Sequence, residues 1–140
     1  MFFNTPVYNR DDVLPLFEEK FLRIQSAVNS NSVNVLQNEC TQEMFDFLMD
    51  NKAQNIRNGL TNIVENVKVQ NMYTIDAFND EDLGQDFHTV RIQFWMSDYY
   101  VDGNNVLVEG SVAPQYFEET WVFTRVEGST LWFLASIELD

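Results

Sequence analysis

The chain has 140 residues, of which 45% are hydrophobic, so it is long enough to bury a conventional core without disulfides or metal ions. Eight Lys and Arg residues against 22 Asp and Glu residues give a formal net charge of −14, which argues against binding to nucleic acids or anionic lipid headgroups. Because 14% of the residues are aromatic, the composition also argues against a disordered acidic tail and predicts one folded domain over residues 1–140.

Apolar residues at steps of three and four predict three helices in the N-terminal half of the chain. The first is expected over residues 13–29, with a buried stripe made of Leu14, Phe17, Phe21, Ile24 and Val28. A short second helix is predicted over residues 33–37. Thr41 is typical of an N-cap and Gly59 of a helix end, so we expect the third helix between them.

From Val64 onward the apolar period changes to two, which predicts strands. We expect them at about residues 64–77, 87–101, 106–109, 116–126 and 131–139, separated by Gly-containing turns. Pro114 marks the entry to the fourth of these. Three helices followed by four or five antiparallel strands predict an α+β fold, with the helices packed in the concave face of a curved sheet.

The start of the sequence has no export signal, because only three residues precede Asn4 where an apolar run of about 7–15 residues would be needed. The first 19 residues hold one Arg, Arg10, against four acidic residues, which is unlike a mitochondrial presequence. A single cysteine, Cys40, fits a reducing compartment. We expect a bacterial cytoplasmic protein whose association with a membrane would be peripheral and through a partner.

Two segments of the sequence carry a family resemblance. In the helical half, residues 21–27 (Phe-Leu-Arg-Ile-Gln-Ser-Ala) are followed by Thr41-Gln42-Glu43 and Leu48. In the sheet half, Glu119-x-Trp121-x-Phe123-x-Arg125 is followed by Trp132-x-Leu134-Ala135-x-Ile137. Together these motifs bracket nearly the whole chain, and they resemble the Tim44-like domain family within the nuclear transport factor two-like superfamily of cone-shaped folds.

The resemblance implies a noncatalytic adaptor, because mitochondrial members of this family tether the protein-import motor to the inner-membrane translocase. The chain departs from the mitochondrial pattern, since it has neither a presequence nor a basic membrane-contacting segment. We therefore expect a protein-binding domain linked to membrane-associated transport or assembly, with direct lipid contact in doubt.

The same superfamily includes enzymes of the ketosteroid isomerase and dehydratase type, so the inner face of the sheet is also a candidate site. If the apolar stripe of the second long strand faces the helices, His88, Asp98 and Tyr100 face them too. Asn71 and Tyr73 share the apolar face of the first strand. Asp98 or His88 would then be the general base. Tyr73 or Tyr100 would donate to a developing oxyanion.

The competing interpretation places His88 and Asp98 at strand ends, where alternation commonly breaks and side chains reach water. It favours a noncatalytic domain whose apolar cavity holds at most an apolar small ligand. The alternative function is a small-molecule-binding protein or an enzyme of the isomerase and dehydratase type.

Neither a cofactor nor a metal ion is expected. Cys40 lies at a helix junction, a position more typical of a small buried side chain than of a nucleophile with a lowered pKa. The run Asp80-Glu81-Asp82 lacks the spacing of a calcium loop and is interpreted as a solvated turn. With one His and no Gly-rich phosphate loop, the sequence contains neither a zinc motif nor a nucleotide motif.

The outer side of the sheet is the predicted protein-binding surface. Trp95 and Tyr99 fall opposite the apolar stripe of their strand, and on the last strand Trp132 and Leu134 share a face opposite other apolar residues. We expect these four residues to contact a partner protein or a second copy in a homodimer. In one alternative the outer aromatic residues are isolated and need no partner. In another, the acidic chain mimics nucleic acid toward a basic partner.

Overall fold

The computed structural model describes residues 3–4, 8, 10–30 and 32–139, so both ends of the predicted 1–140 domain lie outside the described residues. Within this part the chain forms three helices, α1 (Leu14–Ser30), α2 (Val33–Glu39) and α3 (Gln42–Arg57). The sheet contains β1 (Phe3–Asn4), β2 (Thr61–Asp80), β3 (Gln85–Val101), β4 (Leu107–Val126) and β5 (Phe133–Leu139). The predicted α+β fold is confirmed.

Helix α1 is amphipathic in the way that its sequence predicts. Phe17 and Phe21 are fully buried, because residues four apart lie on one face of a helix. Lys20 and Arg23 both reach Glu39 at the end of α2, with the Lys20 Nζ atom 2.8 Å from Glu39 Oε2. These ion pairs hold the C-terminal end of α2 against α1.

Helix α3 begins and ends where the sequence predicts. The Oγ1 atom of Thr41 accepts a hydrogen bond from the Met44 backbone N–H at 3.3 Å, which satisfies one of the free donors of the first turn. Gly59 has a φ angle of +70°, a conformation that costs glycine little, and it directs the chain out of the helix toward β2. The Thr41 N–H also donates to the Leu134 carbonyl of β5 at 2.9 Å, which fixes the start of α3 against the sheet.

The sheet is an antiparallel meander in the order β1-β2-β3-β4-β5. The two strands predicted on either side of Pro114 form one strand, β4, so the predicted break is wrong. The ladder with β3 passes from Gln115, opposite Met96, to Ser111, opposite Asp98, and the three residues between them bulge out. Pro114 is compatible with this bulge, where a ladder hydrogen bond from its missing N–H is not required.

Bulges in β2 change which side chains face the helices. The pairing with β3 skips one residue between positions 69 and 71 and another between 74 and 76, so strict alternation fails. Met72 and Thr74 occupy the inner positions, where Thr74 hydrogen-bonds His88. Asn71 and Tyr73 lie on the outer face, with Tyr73 opposite Arg91. Their predicted place on the apolar inner face is therefore wrong.

The faces of the last strand are also reversed from the prediction at its start, whereas a register shift after Leu134 lets Ile137 pack against the core as well. Trp132 and Leu134, predicted on the outer binding surface, are 2% and 0% exposed and lie in the core. Trp132 packs edge-on against Phe17, with ring centroids 5.2 Å apart, and Leu134 pairs with Phe123. The strand is apolar on both faces, so its sequence pattern could not decide which face the helices cover.

The core lies between the helices and the inner faces of β3, β4 and β5. Phe17 stacks on Phe123 with ring centroids 4.3 Å apart, and Phe21 contacts Trp121 edge-on at 4.8 Å. Each such buried side chain stabilises the fold by roughly 1.5–3 kcal/mol through removal of apolar surface from water. The helices are thereby held on the concave face, and the opposite face of the sheet is left for other contacts.

Candidate functional site

Three aromatic side chains from neighbouring strands occupy the outer face of the sheet and are here called the outer patch: Tyr73 on β2, Trp95 on β3 and Tyr116 on β4. Their exposed fractions are 43%, 42% and 42%. Trp95 and Tyr116 lie opposite each other in the ladder, with ring centroids 5.6 Å apart at an interplanar angle of 60°. Large amphipathic rings with this exposure are typical of protein-binding surfaces.

Polar side chains hold two rings of the outer patch, Trp95 and Tyr116, in place. Trp95 Nε1 donates to Gln70 Oε1 at 2.9 Å, and the Tyr116 hydroxyl donates to Glu118 Oε1 at 2.7 Å. Arg91 Nη2 donates to Glu118 Oε2 at 2.6 Å, and this hydrogen bond holds the pKa of Glu118 below its usual range. The rings of Trp95 and Tyr116 are therefore held in place before any partner binds, which lowers the entropy that binding would cost.

Trp95 and Tyr99, two of the predicted binding residues, lie on the outer face. The Tyr99 hydroxyl donates to Glu65 Oε2 at 3.4 Å, farther along β3 than the outer patch. Trp132 and Leu134 do not join them, because both are buried on the inner face. Tyr116 was not predicted as a binding residue, because its position opposite Trp95 follows only from the register of β3 with β4.

His88 is fully buried on the inner face and both its ring nitrogens are occupied. The Tyr8 hydroxyl lies 2.8 Å from Nδ1 and the Thr74 hydroxyl 2.9 Å from Nε2. Burial lowers the pKa of His88 to about 4, and the positive charge of Arg10 acts in the same direction. His88 is therefore neutral near pH 7, with one nitrogen donating and the other accepting, and its hydrogen bonds serve the fold.

A buried ion pair adjoins His88. Arg125 Nε donates to Asp86 Oδ2 at 2.8 Å, and Asn79 Nδ2 donates to Asp86 Oδ1 at 3.0 Å. The Arg125 guanidinium also lies over the rings of Tyr8 and Trp132, 4.7 and 4.9 Å from their centroids. This cluster joins Tyr8 to the sheet, and its charges are paired rather than presented to a ligand.

Asp98 and Tyr100 face the helices at the other end of β3, but the structure does not bring them to His88. Asp98 lies ten positions after His88 in β3, which corresponds to about 33 Å along the strand. Asp98 Oδ1 accepts a hydrogen bond from Asn62 Nδ2 at 2.8 Å. Since Tyr73 lies on the outer face, the four catalytic candidates form no common site.

A cleft of about 850 Å³ lies between the end of α1, the second half of α3 and the strand ends that hold Asn62 and Tyr100. Its lining includes Val28, Val33, Leu36, Leu48, Met49, Asn51, Lys52, Gln54, Asn55, Ile56, Leu60 and Thr61. The volume falls within the range of small-molecule sites, and the mixed lining suits an amphipathic molecule. Tyr100, which the sequence predicts on the inner face, lines this cleft. The other lining residues could not be placed from the sequence, because they come from helix and strand ends that are far apart in the chain.

Glu119 is a half-buried carboxyl that the sequence indicated only as part of a family motif. It lies on the inner face of β4 opposite Ile92, and Trp121 Nε1 donates to its Oε1 atom at 2.9 Å. Burial raises the pKa of Glu119, and the negative charge of Asp98 acts in the same direction. It does not line the cleft described above.

The other residues considered as a nucleophile or as metal ligands, Cys40 and the acidic turn at Asp80, have structural roles. Cys40 is buried, and burial raises the pKa of its thiol to about 12, so no reactive thiolate forms near neutral pH. Asp80 is also buried, and its carboxylate accepts the backbone N–H groups of Asp82 and Leu83, which organises the acidic turn. Among the described residues, no group of three His, Cys, Asp or Glu side chains could hold a metal ion.

The three helices pack on the concave side of a curved antiparallel meander. This arrangement defines the fold class of the protein, a cone-shaped α+β fold. The opposite face of the sheet is not covered by the helices. The family model of the Tim44-like domain matches residues 5–138, and the chain belongs to the Tim44-like domain family. Within the described residues, none of the helices combines the length and apolar character needed to cross a membrane.

One solved structure with a similar fold is the crystal structure of the intermembrane space region of chloroplast protein ARC6. The two chains superpose with a TM-score of 0.60 at 12% sequence identity, over 96% of this chain and 98% of that one. At this identity the likeness concerns the fold alone. No protein with a curated description matches the sequence.

Proposed function

We propose that this Tim44-like domain is a noncatalytic protein-binding adaptor that uses the outer face of its sheet within a membrane-associated transport or assembly system. The family supports a role in protein contacts near membranes. The net charge of −14 makes direct contact with anionic lipids unfavourable, so the membrane association we propose is peripheral and through a partner in the cytoplasm.

The outer patch carries this proposal. Tyr73, Trp95 and Tyr116 are each more than 40% exposed although they are large and mainly apolar. Aromatic residues that are ordered and exposed on one surface are the residues in which binding energy concentrates when a partner covers them. Tyr99 extends the same face along β3. The occupant we propose is a partner protein, and a second copy of the chain is the other outcome that the experiment distinguishes.

The test compares Trp95→Ser and Tyr116→Ser with Leu131→Ser. Leu131 is 64% exposed and lies outside the outer patch, so its replacement removes a similar exposed apolar side chain. We expect the two patch variants to abolish capture of an identified partner, or to convert a dimer to a monomer in light scattering. The proposal is wrong if both variants keep the oligomeric state and the partner set of the unsubstituted chain.

The cleft supports a second candidate function, the binding of an amphipathic small molecule. Apolar residues such as Leu48 and Met49 line it together with Asn55 and Lys52. Screening apolar ketones and acids by thermal shift, with Leu48→Trp as the variant that fills the cleft, tests this function. A ligand that stabilises both proteins equally does not bind in the cleft. An isomerase or dehydratase function would further require that the unsubstituted chain converts such a ligand and that the Asp98→Asn variant does not.

A further inference from the structure

The half-buried side chain of Tyr8 lies in a slot whose walls come from the sheet: His88 on β3, Arg125 on β4 and Trp132 immediately before β5. The Tyr8 hydroxyl is 2.8 Å from His88 Nδ1. The Tyr8 ring meets Trp132 edge-on with centroids 5.3 Å apart, and the Arg125 guanidinium lies 4.7 Å from the Tyr8 ring centroid. These three walls are called the phenol slot below. Tyr8 precedes α1 and belongs to none of the described helices and strands.

Two walls of the phenol slot are held in place without Tyr8. The second ring nitrogen of His88, Nε2, lies 2.9 Å from the Thr74 hydroxyl, which fixes the imidazole ring from its other side. Trp132 packs edge-on against Phe17 of α1, with ring centroids 5.2 Å apart. Because well-packed surroundings relax only partly when a side chain is removed, the slot should persist when Tyr8 is absent from it.

The third wall, Arg125, has its own partners and sets the charge that the slot accepts. Its Nε donates to Asp86 Oδ2 at 2.8 Å and its Nη1 donates to the Ser129 carbonyl at 2.9 Å. The guanidinium attracts the face of an aromatic ring, while the Asp86 carboxylate balances its charge. Burial raises the pKa of Tyr8 to about 12, and the negative charge of Asp86 acts in the same direction. An uncharged hydroxyl is therefore favoured over an anion.

We propose that the phenol slot is a binding site for a neutral phenol, which Tyr8 occupies and which an external phenol can take in its place. His88 requires a hydroxyl group in the ligand, whereas Trp132 and Arg125 require an aromatic ring. The exchange needs only that the Tyr8 side chain leave, because each wall keeps its other contacts. This inference is independent of the proposed function, since the phenol slot lies on the inner side of the sheet and the outer patch on the opposite side.

The test compares Tyr8→Gly, which empties the phenol slot, with Tyr8→Phe, which removes the same hydroxyl but leaves a ring in the slot. The probe is p-cresol, the free equivalent of a tyrosine side chain, and isothermal titration calorimetry measures its affinity. We expect p-cresol to bind Tyr8→Gly with one-to-one stoichiometry and at least tenfold more tightly than Tyr8→Phe. Equal affinities would place p-cresol elsewhere on the protein and would overturn the proposal.

A Tyr8→Gly variant that does not fold alone still gives an answer, because a ligand that binds only the folded state stabilises it. Circular dichroism then replaces calorimetry. Recovery of the spectrum of the unsubstituted chain on addition of p-cresol supports the proposal, and failure to recover it contradicts the proposal.

The chemistry of the ligand is tested on Tyr8→Gly with two analogues of p-cresol. Toluene lacks the hydroxyl that His88 would bind, and methylcyclohexanol lacks the aromatic ring that Arg125 and Trp132 would contact. Each should bind at least tenfold more weakly than p-cresol, and equal binding of toluene would reduce the slot to an apolar hole and overturn the proposal. N-acetyl-tyrosinamide distinguishes the sources of the phenol group. If it binds as tightly as p-cresol, a tyrosine of another protein is an occupant, whereas binding of p-cresol alone indicates a small phenol.

Fluorine NMR of the unsubstituted chain labelled with 3-fluorotyrosine tests the exchange without an emptied slot. The Tyr8 signal is the one that Tyr8→Phe lacks. Excess p-cresol should move this signal toward its position in the denatured chain, while the signal of Tyr116 in the outer patch stays in place. A Tyr8 signal that does not respond would show that an external phenol cannot replace Tyr8, and the inference would then be wrong.

Discussion

Tyr8 and His88 are 80 residues apart in the sequence, yet the Tyr8 hydroxyl lies 2.8 Å from His88 Nδ1. The bond joins the N-terminal segment to the centre of the sheet. Burial raises the pKa of Tyr8 to about 12, so its hydroxyl keeps its proton near neutral pH. The pair makes the fold sensitive to the protonation of His88, which leads to the first prediction.

Stability should fall as the pH drops below 6.5, the ordinary pKa of histidine in an unfolded chain, toward the folded pKa of about 4. The neutral form is favoured by the fold, so the stabilisation is complete above the unfolded pKa and is lost as His88 becomes protonated. The loss over this window is on the order of 3 kcal/mol from His88. Urea unfolding of the unsubstituted chain and of His88→Gln across pH 4–7.5 measures it. Identical pH slopes would show that His88 does not contribute.

The Asp86–Arg125 pair should matter far more than the Arg91–Glu118 pair. Asp86 is 1% exposed at its side chain, so Arg125→Met would leave a buried carboxylate without its cation and should cost about 3 kcal/mol. Arg91→Met breaks a pair whose Glu118 side chain is 34% exposed, and it should cost less than about 1 kcal/mol. Free energies of unfolding from urea titration compare the two. A larger cost for Arg91→Met would refute the assignment.

Gly110 should be intolerant of a side chain. Its φ angle is +90°, and an added Cβ atom would collide with the Asp98 backbone carbonyl and the Tyr99 Cα atom. Gly110→Ala should therefore lower the free energy of unfolding by about 1–3 kcal/mol. Gly103→Ala is the control, because Gly103 has open space around it and no positive φ angle. Chemical denaturation of both variants gives the comparison, and a neutral Gly110→Ala would mean that the β3–β4 hairpin is built differently.

The two tryptophans predicted on one surface should behave as residues of opposite faces. Trp132→Ala removes a side chain that is 2% exposed and should destabilise the protein by about 3–5 kcal/mol. Trp95→Ala removes one that is 42% exposed and should cost less than about 1.5 kcal/mol. Acrylamide quenching of the single-tryptophan variants provides an independent check. If Trp132 is quenched as readily as Trp95, Trp132 is exposed to solvent and its assignment to the core is wrong.

The amino-acid sequence was enough to predict three helices followed by antiparallel strands, although it did not indicate β1 and divided β4 into two strands. Apolar periods of 3.6 and 2 depend on neighbours close in the chain, and so does the Thr41 cap, whose oxygen needs only the N–H of Met44. The family resemblance was likewise carried by local motifs, and it is confirmed over residues 5–138.

Tertiary structure alone decided which face each side chain takes. A bulge adds one residue and inverts the alternation after it, so Tyr73 lies on the outer face and Thr74 on the inner face, where it hydrogen-bonds His88. Trp132 is buried because the helices cover one side of a strand that is apolar on both. The outer patch and the cleft exist only after strand register and helix packing bring distant residues together, since a local pattern contains no information about which segments become neighbours.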